Sequence, residues 1–337
     1  MSTEALTHPV NDAVSQQVLR IALGGALGIA LPAFFGVPLP FIGAIIAVNS
    51  TSTMRRLPPA KMLLGLVAIV FAVPYAFNLV SGAFLEYPYL LLGFIWLVLF
   101  HGFRLQANPK QKLLGVLTVT FAIVVPIVTH AAGEIGPMFV QVLGLNVTLG
   151  IVAVVVAFAA FPDPGEAGSA PEAASPEPDA ASDVALMAAI SATVMVPLIA
   201  VFLSYDALTA MRVLFVASTV LAAAESSASE REGWIALASV AIGGLAALGV
   251  SLVWIILPSP IVGLLLGCLA TLMVGRRAVE GAHAPAYASA IGAMWVLLST
   301  SGTDPAAKVV LWSLYAMSGA CYAIGGRELL VRLAKGW

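Results

Sequence analysis

Residues 47–61 read AVNSTSTMRRLPPAK, where five consecutive small polar side chains, Asn49, Ser50, Thr51, Ser52 and Thr53, close an apolar stretch that begins only at Val37. At membrane depth such groups can bind a polar substrate, or satisfy a backbone that has stopped being helical. The plainer reading is a loop start in which Ser and Thr bond to nearby backbone and the LPP that follows stops the helix. A second tract, AAAESSASEREGW (222–234), has the same character and carries Glu225, Ser226 and Ser227. If Glu225 is partly buried, its protonated form is favoured and it becomes a candidate for proton coupling. Its alternative is an ordinary loop acid beside Glu230 and Glu232. Asp206, six residues before Arg212 in YDALTAMR, and His101, in FHGFR, are the other coupling candidates. Arg104 in that motif and Arg277 in MVGRR can each grip a carboxylate through two parallel hydrogen bonds. Arginines that snorkel at span ends to fix orientation have the same sequence appearance.

These residues must be held by helices in lipid. Of the 337 residues 61% are hydrophobic and 9% charged, against roughly 25% charged in a soluble domain. The fold class is all-α integral membrane, with about 12 spans of the length that a bilayer requires. Apolar runs place them near 19–36, 37–53, 62–82, 87–103, 113–129 and 136–161, then 184–204, 207–224, 234–257, 260–274, 286–299 and 306–325. Residues 1–18 form a polar cytoplasmic segment and 327–337 a cytoplasmic tail. The first apolar run has no signal-peptide pattern of basic flank and small-residue cleavage site. Residues 162–183, PDPGEAGSAPEAASPEPDAASD, read as an acidic, disordered cytoplasmic linker between six-span halves at 19–161 and 184–326.

Basic residues fix the expected orientation, since Lys and Arg concentrate in cytoplasmic loops. With both termini inside, every Lys and Arg except Arg212 and Lys308 falls on the cytoplasmic side. The halves also align with each other. An offset of 173 sets Gly102 on Gly275 and Arg104 on Arg277, and brings NSTSTMRRLPPAK over AAAESSASEREGW. Six spans per half makes the copies parallel repeats. Short or interrupted apolar segments at matching places in two repeats are the best pointer to a transporter's substrate site. A cleft between the two short second helices is therefore expected.

The order of elements in VLRIALGGALGIALPAFFGVPLPFIGAIIAVNSTSTMRRLPPAKMLLG resembles the repeat of the fusaric acid resistance superfamily, the aromatic acid exporters and their compact relatives. The shared features are a Gly/Ala-rich first span led by Arg20, a short second span, a polar cluster, a basic pair and a third span opening on LLG. The resemblance covers nearly the whole chain through the two-repeat plan. It implies proton-driven efflux of small aromatic carboxylates across the bacterial inner membrane, often with a periplasmic adaptor. Larger members carry a cytoplasmic domain where this chain has 22 residues, and a Gln-Pro-Thr type cluster where it has Asn49-Ser50-Thr51.

Other residues read as structure. Gly24 with Gly28, and Gly263 with Gly267, should let helix backbones approach. Pro74, Pro126 and Pro197 lie within spans, and Asn78 and Asn146 suit bonds between helices or the lining of a transport route. Tyr87, Tyr89, Trp96, Trp254, Trp295 and Trp312 suit interfacial anchoring, the commoner use, or walls for ring stacking. Cys268 and Cys321 lie far apart in apolar runs, which suits packing and argues against a disulfide or metal site. No metal ligand set, cofactor motif or nucleophile and base arrangement is present, and no basic surface for nucleic acid is expected. The function read from the sequence is export of small organic anions, with a non-transporting scaffold subunit as the alternative and an enzyme least favoured. Beyond substrate and lipid, the expected partners are an adaptor and further copies of the chain in a homo-oligomer.

Overall fold

The computed structural model describes residues 8–54, 56–84, 86–108, 111–132, 136–162, 180–205, 211–222, 226–280, 283–300 and 305–335. Among the described residues the chain forms twelve helices: α1 (His8–Phe34), α2 (Phe41–Thr53), α3 (Ala60–Ala83), α4 (Pro88–Gln106), α5 (Lys112–Ala132), α6 (Gly136–Ala160), α7 (Ala180–Tyr205), α8 (Met211–Leu221), α9 (Ser226–Ile256), α10 (Pro260–Val279), α11 (Ala284–Thr300) and α12 (Pro305–Lys335). Eight of these are long and apolar enough to cross a bilayer. The chain is therefore a multi-pass membrane protein. The outward apolar residues, such as Leu64, Leu79, Leu245, Ile255 and Met273, are those that lipid would solvate. The apolar stretches too short to cross alone are Phe41–Thr53, Leu114–His130, Met211–Leu221 and Ala284–Ser299. They fall in α2, α5, α8 and α11, second and fifth in each run of six.

Several boundaries differ from the sequence reading, among them the start of α1 at His8 and the end of α12 at Lys335, and two points bear on the polar tracts. Helix α2 continues through its polar cluster to Thr53 instead of unwinding, because hydroxyls that bond back to their own helix keep the backbone helical. Helix α9 starts at Ser226, well before the expected Trp234, so the serine-rich tract opens a helix instead of closing one. Serine is at home at a helix N-terminus, where it can serve the unpaired amides.

The chain divides into two compact units, neither of which is one half of the sequence. Unit one takes Met1–Ala68, Val142–Ala170 and Ala238–Ser313, and unit two takes Ile69–Gln141, Pro171–Leu237 and Leu314–Trp337. In unit one α1 packs on α2 and α10, and α11 completes a ring of four by touching both α10 and α2. In unit two α4 packs on α5 and α7, and α8 touches both α7 and α5. Each ring joins the first two helices of one half to the fourth and fifth of the other.

Close packing decides these pairings, since lipid gives helices no hydrophobic reason to associate. In unit one the Trp295 indole of α11 is fully buried between glycines of α1 and α10. A Cβ at Gly25 would lie 2.5 Å from its Nε1, and one at Gly267 would lie 2.5 Å from its Cη2. The indole N–H donates to Thr271 Oγ1 at 3.2 Å, and that hydroxyl donates to the Gly267 carbonyl at 2.8 Å. Trp295 is therefore a core residue, where anchoring at the interface was expected. Gly263 and Gly267 make room for the rings of Trp254 and Trp295, where helix backbones were expected. In unit two the side chain of Asn78 on α3 accepts from Thr129 on α5 at 3.0 Å, the kind of interhelical bond its position suggested. Both cysteines are free, Cys268 half-buried and Cys321 exposed.

Two outcomes test this packing. Trp295→Ala should lower the stability of detergent-solubilised protein by about 3 kcal/mol, read as a drop in thermal midpoint. Full-length protein cut at a protease site placed in the linker should run as one species in size-exclusion chromatography, because each unit contains helices from both fragments.

Candidate functional site

The site grows from the way α2 is held. Gly28 of α1, Gly43 of α2 and Gly150 of α6 stack so closely that a Cβ at Gly28 or at Gly150 would sit 2.8 Å from the Gly43 carbonyl oxygen. The α1–α2 link turns through left-handed backbone at Gly36 (φ 66°) and Leu39 (φ 60°). Between these two lies Pro38, whose carbonyl accepts from Asn146 Nδ2 of α6 at 2.7 Å. A short helix so clamped at its start delivers its polar end to a fixed place.

At that end Thr51 is fully buried, and its Oγ1 donates to the Ala47 carbonyl at 2.7 Å. Ser52 and Thr53 donate to the Asn49 carbonyl at 3.1 and 2.7 Å. Three of the five hydroxyl and amide groups thus spend their protons on their own helix and offer only lone pairs. Among the described residues Asn49 and Ser50 make no side-chain hydrogen bond, which leaves their donors for another group.

Helix α1 supplies what the sequence reading passed over. Gln17 Nε2 donates to the Ser52 carbonyl at 3.0 Å, and Gly24 faces Thr51, whose Cγ2 lies 3.2 Å from where a Cβ would be. Arg20 lies between these two on the same helical face. It is only 2% exposed, and its guanidinium carbon stands 4.7 Å from the centre of the Phe158 ring of α6. Phe158 packs with Ala47 and Met54 of the α2 end. The carbonyl end of α2 carries partial negative charge, which makes a guanidinium tolerable there. A guanidinium beside a phenyl face is chemistry that suits a carboxylate and a flat ring. The sequence signal was an Arg inside an apolar run, LRIALGG, at a place that also suits an orienting charge.

The other expected site residues lie elsewhere. His101 is exposed on α4, with Nδ1 2.8 Å from the Leu97 carbonyl of its own helix and its ring edge-on to Phe100. Arg104 is exposed on α4 in unit two, whereas Arg277 is exposed on α10 in unit one. Arg277 Nη1 donates to the Tyr287 hydroxyl at 3.2 Å, and its guanidinium carbon lies 5.7 Å from that ring's centre. Asp206 and Glu225 lie outside the described residues, as do the side chains of Ser226 and Ser227.

Among known proteins, a family described as a protein of unknown function (DUF2955) matches residues 17–160. No curated protein and no solved structure matches the chain. The matched stretch runs from Gln17 through Ala160, the last residue of α6.

Because the Thr51 hydroxyl serves only its own helix, Thr51→Val should change the thermal midpoint little, by less than about 1 kcal/mol. Gln17→Leu removes the donor to a part-buried carbonyl and should cost about 0.5–1.5 kcal/mol in the same assay.

Proposed function

We propose that this protein exports small aromatic carboxylates or related organic anions across the bacterial inner membrane, driven by the proton gradient. Arg20 and Phe158 hold the substrate at the end of α2. The observation that carries this reading is the buried guanidinium on a phenyl face beside a helix too short to cross. Ionisable groups inside a membrane are expensive and mark substrate or ion pathways. A carboxylate competes for the guanidinium of Arg20, and Phe158 faces the ring. Arg104 and Arg277, exposed near helix ends, serve as an electrostatic entry for anions from the cytoplasm.

Two parallel repeats underlie this arrangement, with both termini cytoplasmic. Three observations support them: the four short segments recur as second and fifth in each run of six, the four-helix rings exchange corresponding helices, and the family match ends with the sixth helix. Glu225, next to the start of α9, is the proton-coupling group in this reading, and Asp206 and His101 are secondary candidates. A periplasmic adaptor and a homo-oligomeric pump complete the expected assembly.

The test is uptake of labelled benzoate into everted vesicles with and without an imposed pH gradient. The wild type should accumulate the acid faster when the gradient is present. Arg20→Met should reduce the rate at least tenfold, and Phe158→Leu should erode the preference for benzoate over an aliphatic acid, with both variants present in the membrane at normal level. Glu225→Gln should abolish the response to the gradient. Uptake no faster than in vesicles lacking the protein, across a panel of aromatic acids, would overturn the exporter reading and leave the scaffold reading in its place.

A further inference from the structure

One side of α4 carries a set of side chains that the proposed function uses only in part. Trp96, Phe100, His101 and Arg104 recur at helical spacing in WLVLFHGFR and so share one side of the helix. His101 and Arg104 are exposed, Trp96 and Phe100 are half-buried, and Leu97 among them is 49% exposed. Helix α4 belongs to unit two, as does α7, on which it packs.

The three rings are fixed relative to one another. Trp96 Nε1 donates to Thr193 Oγ1 of α7 at 3.0 Å, and that hydroxyl donates to the Ala189 carbonyl at 2.8 Å. Trp295 makes the same relay through Thr271 in unit one, but there the indole is fully buried. Thr193 is exposed, so the relay of unit two lies at a surface that lipid would touch. Phe100 lies nearly parallel to Trp96, with planes 6° apart and centroids 5.7 Å apart, and His101 stands at 87° to Phe100 with centroids 5.2 Å apart. His101 Nδ1 is 2.8 Å from the Leu97 carbonyl. A carbonyl can only accept, so that nitrogen carries the proton and the imidazole is tied to its own helix.

Anchoring at the interface asks only for amphipathic rings at headgroup level. A row of rings tied down at both ends does more, because a flat ligand can pack on it with little further loss of freedom. Arg104 follows Phe100 by one turn, about 6 Å along the axis. A single-ring acid that meets Phe100 and His101 can therefore set its carboxylate on the guanidinium. Arg20 and Phe158 bring the same two groups together in unit one, buried there and at the surface here. Trp96 extends the aromatic row to about 12 Å from the arginine.

We propose that this side of α4 is a docking shelf that collects aromatic carboxylates laterally from the inner leaflet. This rests on the exporter reading and on its cytoplasmic placement of Arg104. In a bilayer such an acid keeps its ring among the chains and its carboxylate at the headgroups. It meets the shelf in that posture, ring towards Phe100 and Trp96 and carboxylate at Arg104. The guanidinium selects for acids, and the rings select for flat ones.

The experiment is photolabelling of purified full-length protein in phosphatidylcholine nanodiscs with 4-azidobenzoate, followed by peptide mapping. Label should appear on α4 beside Phe100 and His101 as well as at the Arg20 site. Excess benzoate should suppress the α4 label at least tenfold better than cyclohexanecarboxylate does. Arg104→Gln should cut the α4 label at least tenfold and leave the Arg20 site labelled, and Arg104→Lys, which keeps the charge and loses the fork, should fall between. In everted vesicles Arg104→Gln should raise the KM for benzoate and leave kcat unchanged, a split that a purely orienting charge would not produce. Label at the Arg20 site with none on α4, or an α4 label indifferent to Arg104→Gln, would overturn this inference alone. So would an α4 label that vanishes when phosphatidylglycerol is added to the nanodiscs, since the shelf would then belong to an anionic phospholipid. Absence of benzoate-sensitive label at either place would overturn it together with the exporter reading.

Discussion

The contact on which unit one depends is the backbone approach of α1, α2 and α6 at Gly28, Gly43 and Gly150. With no side chain at any of the three, the Gly43 carbonyl is walled on both sides by neighbouring helices. Dispersion between close backbones is what a short helix has in lipid in place of the hydrophobic effect. A thirteen-residue helix cannot span the bilayer, so its position must come from its neighbours. The clamp at its start, strengthened by Asn146 on the Pro38 carbonyl, therefore decides where the polar end lies.

That end must also satisfy its carbonyls, because water is not freely available to do so. The solution is divided between local and tertiary donors. Thr51, Ser52 and Thr53 bond back within α2, and Gln17 comes from α1 to the Ser52 carbonyl. Ser191 does the same for α8 in unit two. Once carbonyls are covered in this way, a guanidinium nearby finds partial negative charge from the helix end, and burial becomes affordable. The polar cluster is thus in part scaffold: the hydroxyls of Thr51, Ser52 and Thr53 hold the helix together.

Each four-helix ring includes two helices from each side of the linker, so no half of the chain holds a complete ring. Trp295, pressed between Gly25 and Gly267, closes the ring of unit one across that divide, tying the helix that bears Arg20 to α10 and α11. Disturbance in the second half therefore reaches α1 directly through an indole ring with no room to move.

Hydrophobic run length and polar punctuation by themselves determined that the chain is a helical membrane protein, and they located all twelve helices, because lipid permits little else from such a composition. The short second and eighth helices were legible for the same reason, as was the role of Asn78 between helices, whereas Asn146 bonds to the α1–α2 link. What only the tertiary structure decided is who meets whom. Hydroxyl-rich NSTST is compatible with loop or helix, and the choice fell to back-bonding within α2. Trp295 carries no mark that separates an anchor from a core residue until glycines on two other helices are brought to its faces. Arg20 and Arg327 read as orienting charges because burial depends on neighbours remote in sequence, Phe158 and Met187, whose identity no local pattern contains.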